Sequence, residues 1–164
     1  MKAFTKFAVA TAAGLGMVAA SSAAFAEDET GNASAEIQQA ISITEDTAMD
    51  FGTIAVDGSG GTVTIDSTGD VTGPAGYTFT GSPAAGTFTA SGDASTAVTI
   101  GFTAGSLTGP GAAMTLNNFT HDAGGTPALD GTGDLTFNVG ADLVVNAAQV
   151  SGSYSGTYTV TVNY

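Results

Sequence analysis

From residue 35 onward, apolar residues recur at every second position, and no stretch shows the three- and four-residue spacing of a helix. Short runs of Thr, Val, Ile and Phe sit between clusters of Gly, Asp, Ser and Pro, the sequence form of strands joined by turns. The period predicts strands over residues 35–43, 49–56, 62–65, 77–80, 87–90, 97–103, 114–120, 135–139, 143–145 and 157–164. In the first of these, Ile37, Ile41 and Ile43 share one face. Many short strands at close spacing predict an all-β sandwich or barrel. Threonine, 24 of residues 27–164, fills many outward positions, where its β-branched side chain favours the strand without adding charge.

The clearest alternation is in residues 152–164 (GSYSGTYTVTVNY). There Tyr154, Tyr158, Val160, Val162 and Tyr164 fall on one face and Ser153, Ser155, Thr157, Thr159, Thr161 and Asn163 on the other. Three readings fit: the last strand of a sandwich, a recognition strand like that of chaperone–usher pilins, or the terminal strand of an outer-membrane barrel. The other segments are short and broken by glycine, and they lack aromatic girdles, which disfavours the barrel.

The first residues follow a different pattern. A basic start carrying Lys2 and Lys6 leads into an apolar, alanine-rich run over residues 7–20, then a stretch ending Ala24-Phe25-Ala26. These are the three regions of an export signal, with an apolar run too short for a comfortable bilayer span. Cleavage after Ala26 is expected, with residues 27–34 (EDETGNAS) as a flexible acidic leader and residues 35–164 as one β-sandwich domain.

Charge sharpens this picture. The chain has 15 acidic residues, two lysines, no arginine and a formal net charge of −13, and both lysines lie in the export segment. Beyond residue 26 no strong cation remains, so the carboxylates have to be solvated, hydrogen-bonded or metal-bound. Nucleic acid and anionic membrane surfaces are excluded as partners, because both are bound through Lys/Arg footprints. A mean hydropathy of +0.25 argues against a disordered acidic chain. Strand edges without lysines are poorly defended against pairing with another chain.

Catalytic and cofactor patterns are sparse. His121-Asp122 is the single His–carboxylate neighbour pair, read as a solvated loop histidine, and no Gly-x-Ser-x-Gly elbow accompanies it. Cysteine is absent, which removes thiolate and zinc-cluster chemistry. The best cation candidate is Asp130-Gly131-Thr132-Gly133-Asp134, where Asp130 and Asp134 could offer oxygen ligands to calcium. Asp-Gly turns form without metal, so a structural role is preferred and no cofactor is expected.

Four segments in order, MDFGTIAV, AAMTLNNFT, LDGTGDLTFNVGADLVV and SGSYSGTYTVTVNY, resemble the secreted bacterial family called domain of unknown function 4402, from about residue 37 to residue 164. The Asp-Phe-Gly and Gly-Thr-Tyr motifs also resemble, more distantly, the spore-coat U and fimbrial-subunit domains. That resemblance implies an immunoglobulin-like, pilin-like sandwich assembled by strand exchange, here without the disulfide those domains usually carry. It supplies no catalytic residue. The resulting expectation is a non-enzymatic surface or matrix protein, exported through the inner membrane of a Gram-negative bacterium. Its expected partners are copies of itself or a periplasmic chaperone. The donor would be residues 35–43 with Ile37, Ile41 and Ile43 as knobs, and the acceptor a groove beside Tyr158, Val160, Val162 and Tyr164. The alternatives are a monomeric binding module for calcium or a glycan, and an enzyme using two carboxylates.

Overall fold

The computed structural model describes residues 27–164. The expected export signal, residues 1–26, lies outside the described residues. Residues 27–36 are exposed and without regular structure. The compact unit runs from Ile37 to Tyr164. It is all-β, and no helix occurs among the described residues. Among the described residues ten strands form: β1 Ser42–Thr47, β2 Thr53–Ala55, β3 Gly61–Ile65, β4 Val71–Thr72, β5 Thr78–Thr80, β6 Gly86–Ser91, β7 Thr99–Thr108, β8 Met114–His121, β9 Asp134–Val145 and β10 Ser155–Asn163.

Eight of them make one sheet, ordered β1-β6-β9-β8-β7-β10, with β3 joined to β9 and β4 to β3, while β2 and β5 pair separately. All pairings are antiparallel. The architecture is a sandwich or near-barrel, as the alternating pattern predicted. Two expected strands, 135–139 and 143–145, are one strand, β9. The pattern breaks at Gly140 and Ala141, but the backbone does not. Along one edge of β9, β6 pairs with residues 134–139 and β3 with residues 141–145, so two strands share that edge end to end. Gly140 sits at their junction, where a Cβ would lie 2.5 Å from the Ile65 carbonyl oxygen. Glycine is there to admit a backbone, not to end a strand.

The first strand also differs from expectation, beginning at Ser42 rather than residue 35. Ser42–Thr47 pairs with β6 in register Ser42↔Ser91 to Thr47↔Thr87. The polar Glu45-Asp46-Thr47 run hid this strand, because all six of its residues are exposed and carry no burial signal. The core divides into two clusters. One gathers Phe51, Val63, Ile65, Tyr77, Met114, Leu116, Ala141, Leu143 and Val145. The other gathers Phe88, Ala90, Val98, Leu129, Phe137, Val139 and Val162. β9 feeds both through Phe137, Val139, Ala141, Leu143 and Val145, as its two-residue period requires. Met49, Phe119 and Tyr158 touch both clusters and mark their boundary.

Candidate strand-acceptor groove

β10 forms because Thr157, Thr159, Thr161 and Asn163 can face water while Tyr158, Val160 and Val162 face the core. Val162 is buried, Val160 is half-buried against the second cluster, and Tyr158 is half-buried at the cluster boundary. β10 pairs along its length with β7 and with no other strand of the sheet, so its second edge is open among the described residues. Beside its first residues lies a groove of about 790 Å³. Residues 49–56 and residues 149–156 line it. Leu107, Met114, Leu116, Leu143 and Val145 of the first cluster also line it. An open strand edge beside a groove floored by core side chains can take an extended backbone and seat its alternate side chains.

Tyr158 stands where the groove meets the second cluster. Its ring stacks on Phe119 at 5.0 Å and meets Phe88 edge-on at 6.1 Å. Its hydroxyl is buried and has no hydrogen-bond partner among the described residues. Burial, helped by the Glu45 carboxylate, pushes the phenol up to about 12. Glu45 stands opposite Phe88 in the β1–β6 register, which puts a carboxylate on the inward face of the other edge strand. Such a charge blunts β1 as a pairing edge. β10 carries none.

The expected donor residues are not equivalent. Ile37 is 94 % exposed, Ile41 packs against the second cluster, and Ile43 is committed to β1 opposite Ala90. Between Ile37 and Ile41, the Gln39 N–H donates to both carboxylate oxygens of Asp93 at 3.1 Å, and its carbonyl accepts from the Tyr164 hydroxyl at 2.8 Å. That hydroxyl in turn accepts from the Asp93 N–H at 2.7 Å. Tyr164, expected as an acceptor residue, thus clips the segment before β1.

Asp130 and Asp134 lie in a tight turn. Asp130 Oδ1 accepts from the Thr132 N–H at 2.8 Å, the Thr132 hydroxyl at 2.7 Å and the Asp134 N–H at 3.0 Å. These bonds, led by the Thr132 hydroxyl, hold the Asp130 carboxyl down at about 2. Asp66-Ser67-Thr68-Gly69-Asp70 repeats the arrangement, with Asp66 Oδ1 accepting from Thr68 and Asp70. The repeated Asp-x-Thr-Gly-Asp motif was present in the sequence and marks a turn element, the signal missed there. No group of three or more metal-ligating side chains occurs among the described residues. His121 is the last residue of β8, half-buried near Phe102 and Phe137 rather than in a solvated loop. Asp122 bonds Asn138, not His121.

Comparison with curated proteins and with solved structures returns no match. The model of one family, Domain of unknown function (DUF4402), matches residues 41–164, which span all ten strands and the groove. The chain therefore belongs to that family.

Proposed function

We propose that this protein is a non-enzymatic structural subunit that is exported and assembles with copies of itself by β-strand addition. The observation that carries the reading is the open edge of β10 lying beside a groove lined by core residues. The segment before β1 supplies the donor. Residues 35–41 form no strand in their own subunit, and Ile37 is almost fully exposed. Seven residues extend about 23 Å, enough to pair with most of β10. Backbone hydrogen bonds to β10 give the attachment, and Ile37 fills the groove, stabilising the contact by about 1.5–3 kcal/mol through burial. Ile41 and Gln39 leave their own subunit on donation, so the Tyr164 clip competes with assembly. The basic, apolar and small-residue start of the chain supports export.

The test is oligomeric state by analytical ultracentrifugation of the chain from residue 27, with Ile37→Asp as the variant. Ile37 has almost no contacts to lose, so the variant keeps the melting curve of the parent. The parent is expected to form concentration-dependent oligomers and the variant to remain monomeric. A parent that is monomeric at millimolar concentration would sink the proposal, and so would a variant that assembles equally well.

A further inference from the structure

The 15 carboxylates are distributed unevenly, and only the fold reveals how. None lies in residues 94–121 or 143–164, two stretches separated by the turn acids and by most of β9. Topology makes neighbours of the strands they contain, β8, β7 and β10. One side of the sheet is therefore acid-free, while β1 carries Glu45 and Asp46 and β9 carries Asp134 and Asp142.

Hydrogen bonding follows the same division. On the outer face of β6 and β9, the hydroxyls of Thr87, Thr89, Ser91 and Thr136 are taken up within the protein. Thr89 bonds Asp46 and Thr136, Thr87 bonds Asn138, and Ser91 bonds Asp134. On the acid-free face, Thr115 and Thr157 lie beside Ser106, Thr159 stands opposite Thr103, and Thr161 continues the row. All six are exposed. Thr99 and Thr108 each bond a backbone carbonyl of β10 at 3.3 Å, and Asn118 of β8 bonds Asp142 of β9 at 2.9 Å, but none of the six hydroxyls has a side-chain bond among the described residues.

We infer that the outer face of β8, β7 and β10 is a lateral contact between copies of this chain. This goes beyond strand addition, which uses the edge of β10 and not its outer face. The argument for a second copy is electrostatic. Without strong cations, two copies that meet through any acid-bearing face press carboxylate against carboxylate. The acid-free face avoids that repulsion. It is also self-complementary, since each hydroxyl both donates and accepts, whereas a carboxylate only accepts. A two-fold arrangement therefore satisfies both partners with the same residues. Size sets the strength. Nine residues of β10 by three strands give roughly 30 by 14 Å, about 400 Å² per copy, half of the ~800 Å² per partner in a stable interface. A single contact is therefore weak, and the face acts where many copies are held side by side.

The test couples each protein, through its first residue, to beads at high density and measures bead clustering by light scattering. Five proteins are compared: the parent, Thr159→Asp, Thr161→Asp, Thr44→Asp, and the chain lacking residues 27–38. Thr159→Asp is expected to abolish clustering. Thr44→Asp adds the same charge to β1 and is expected to cluster like the parent. The shortened chain, which cannot donate Ile37, is also expected to cluster. Thr161→Asp serves as a second disrupting variant, and unchanged circular dichroism verifies folding of each protein. Parent beads that stay dispersed overturn the inference, as do Thr159→Asp and Thr161→Asp beads that cluster fully. Loss of clustering in the shortened chain alone also overturns it, while leaving strand addition standing. A parent that clusters on beads but never oligomerises in solution supports this contact and removes the strand-addition reading.

Discussion

Replacing Tyr158 by Phe is expected to stabilise the protein. The hydroxyl is buried, and no hydrogen-bond partner meets it among the described residues. It lies against Gly86, where a Cβ would come within 2.4 Å of the hydroxyl oxygen. An unsatisfied buried polar group costs about 1–3 kcal/mol. Removing one oxygen leaves a void of atomic size, which returns a few tenths of a kcal/mol. The ring contacts with Phe119 and Phe88 survive. A net gain of ~1–2 kcal/mol follows, or about 4–8 °C in melting temperature for a domain of this length. Tyr77 is the internal control, because its hydroxyl donates to the Ser59 carbonyl at 2.5 Å. Tyr77→Phe loses that bond and is expected to destabilise by ~1 kcal/mol.

The phenol also has a pH signature. Its folded-state value, about 12, lies above the ordinary value of 10. The extra proton affinity of the folded state stabilises fully below pH ~10, and that share is lost as pH rises from there toward 12. Thermal melts of the parent, Tyr158→Phe and Tyr77→Phe between pH 7 and 11.5 check both points. Tyr158→Phe is expected to melt highest at pH 7 and to lose less stability in alkali. If Tyr158→Phe falls below the parent as Tyr77→Phe does, the hydroxyl has a partner and the reasoning fails.

Gly140→Ala places a methyl 2.5 Å from the Ile65 carbonyl and 2.7 Å from the Asp66 carbonyl carbon. Such overpacking costs ~1–3 kcal/mol, and chemical denaturation is expected to show a lower midpoint. Asp130 has a folded-state value of about 2, below the ordinary 3.8. Its stabilisation is therefore complete above pH ~4 and is lost as pH falls toward 2. Asp130→Ala is expected to lower the melting temperature at pH 7 and to flatten the acid limb of the profile. Tyr164→Phe removes the hydroxyl that holds Gln39 and Asp93. Limited proteolysis is expected to cut residues 27–41 faster in this variant while the strands stay protected, and equal rates would argue against the clip.

The β content and the C-terminal strand were readable because burial on one face leaves a two-residue period. Tyr158, Val160 and Val162 face the core, and the threonines between them face water. β1 was displaced in the reading because an exposed edge strand buries nothing and so writes no pattern. β9 was split because Gly140 looks like a turn until Ile65 is seen passing over it. The donor segment was legible in outline through its isoleucines, but their different fates were not. Ile41 packs, Ile43 pairs, and Ile37 projects. The Asp130 turn was legible as an Asp-Gly loop, while its three-donor carboxylate depends on backbone geometry.

The sequence by itself determined the strand class, the missing strong cations beyond residue 26 and the alternation of β10, because each is a property of neighbours along the chain. Only the tertiary structure decided that β10 has an open edge beside a groove. Only it joined two acid-free stretches into one face and brought Tyr164 to Gln39. These are contacts between residues tens to more than a hundred positions apart. A two-residue period fixes which way a side chain points, but not which strand lies beside it.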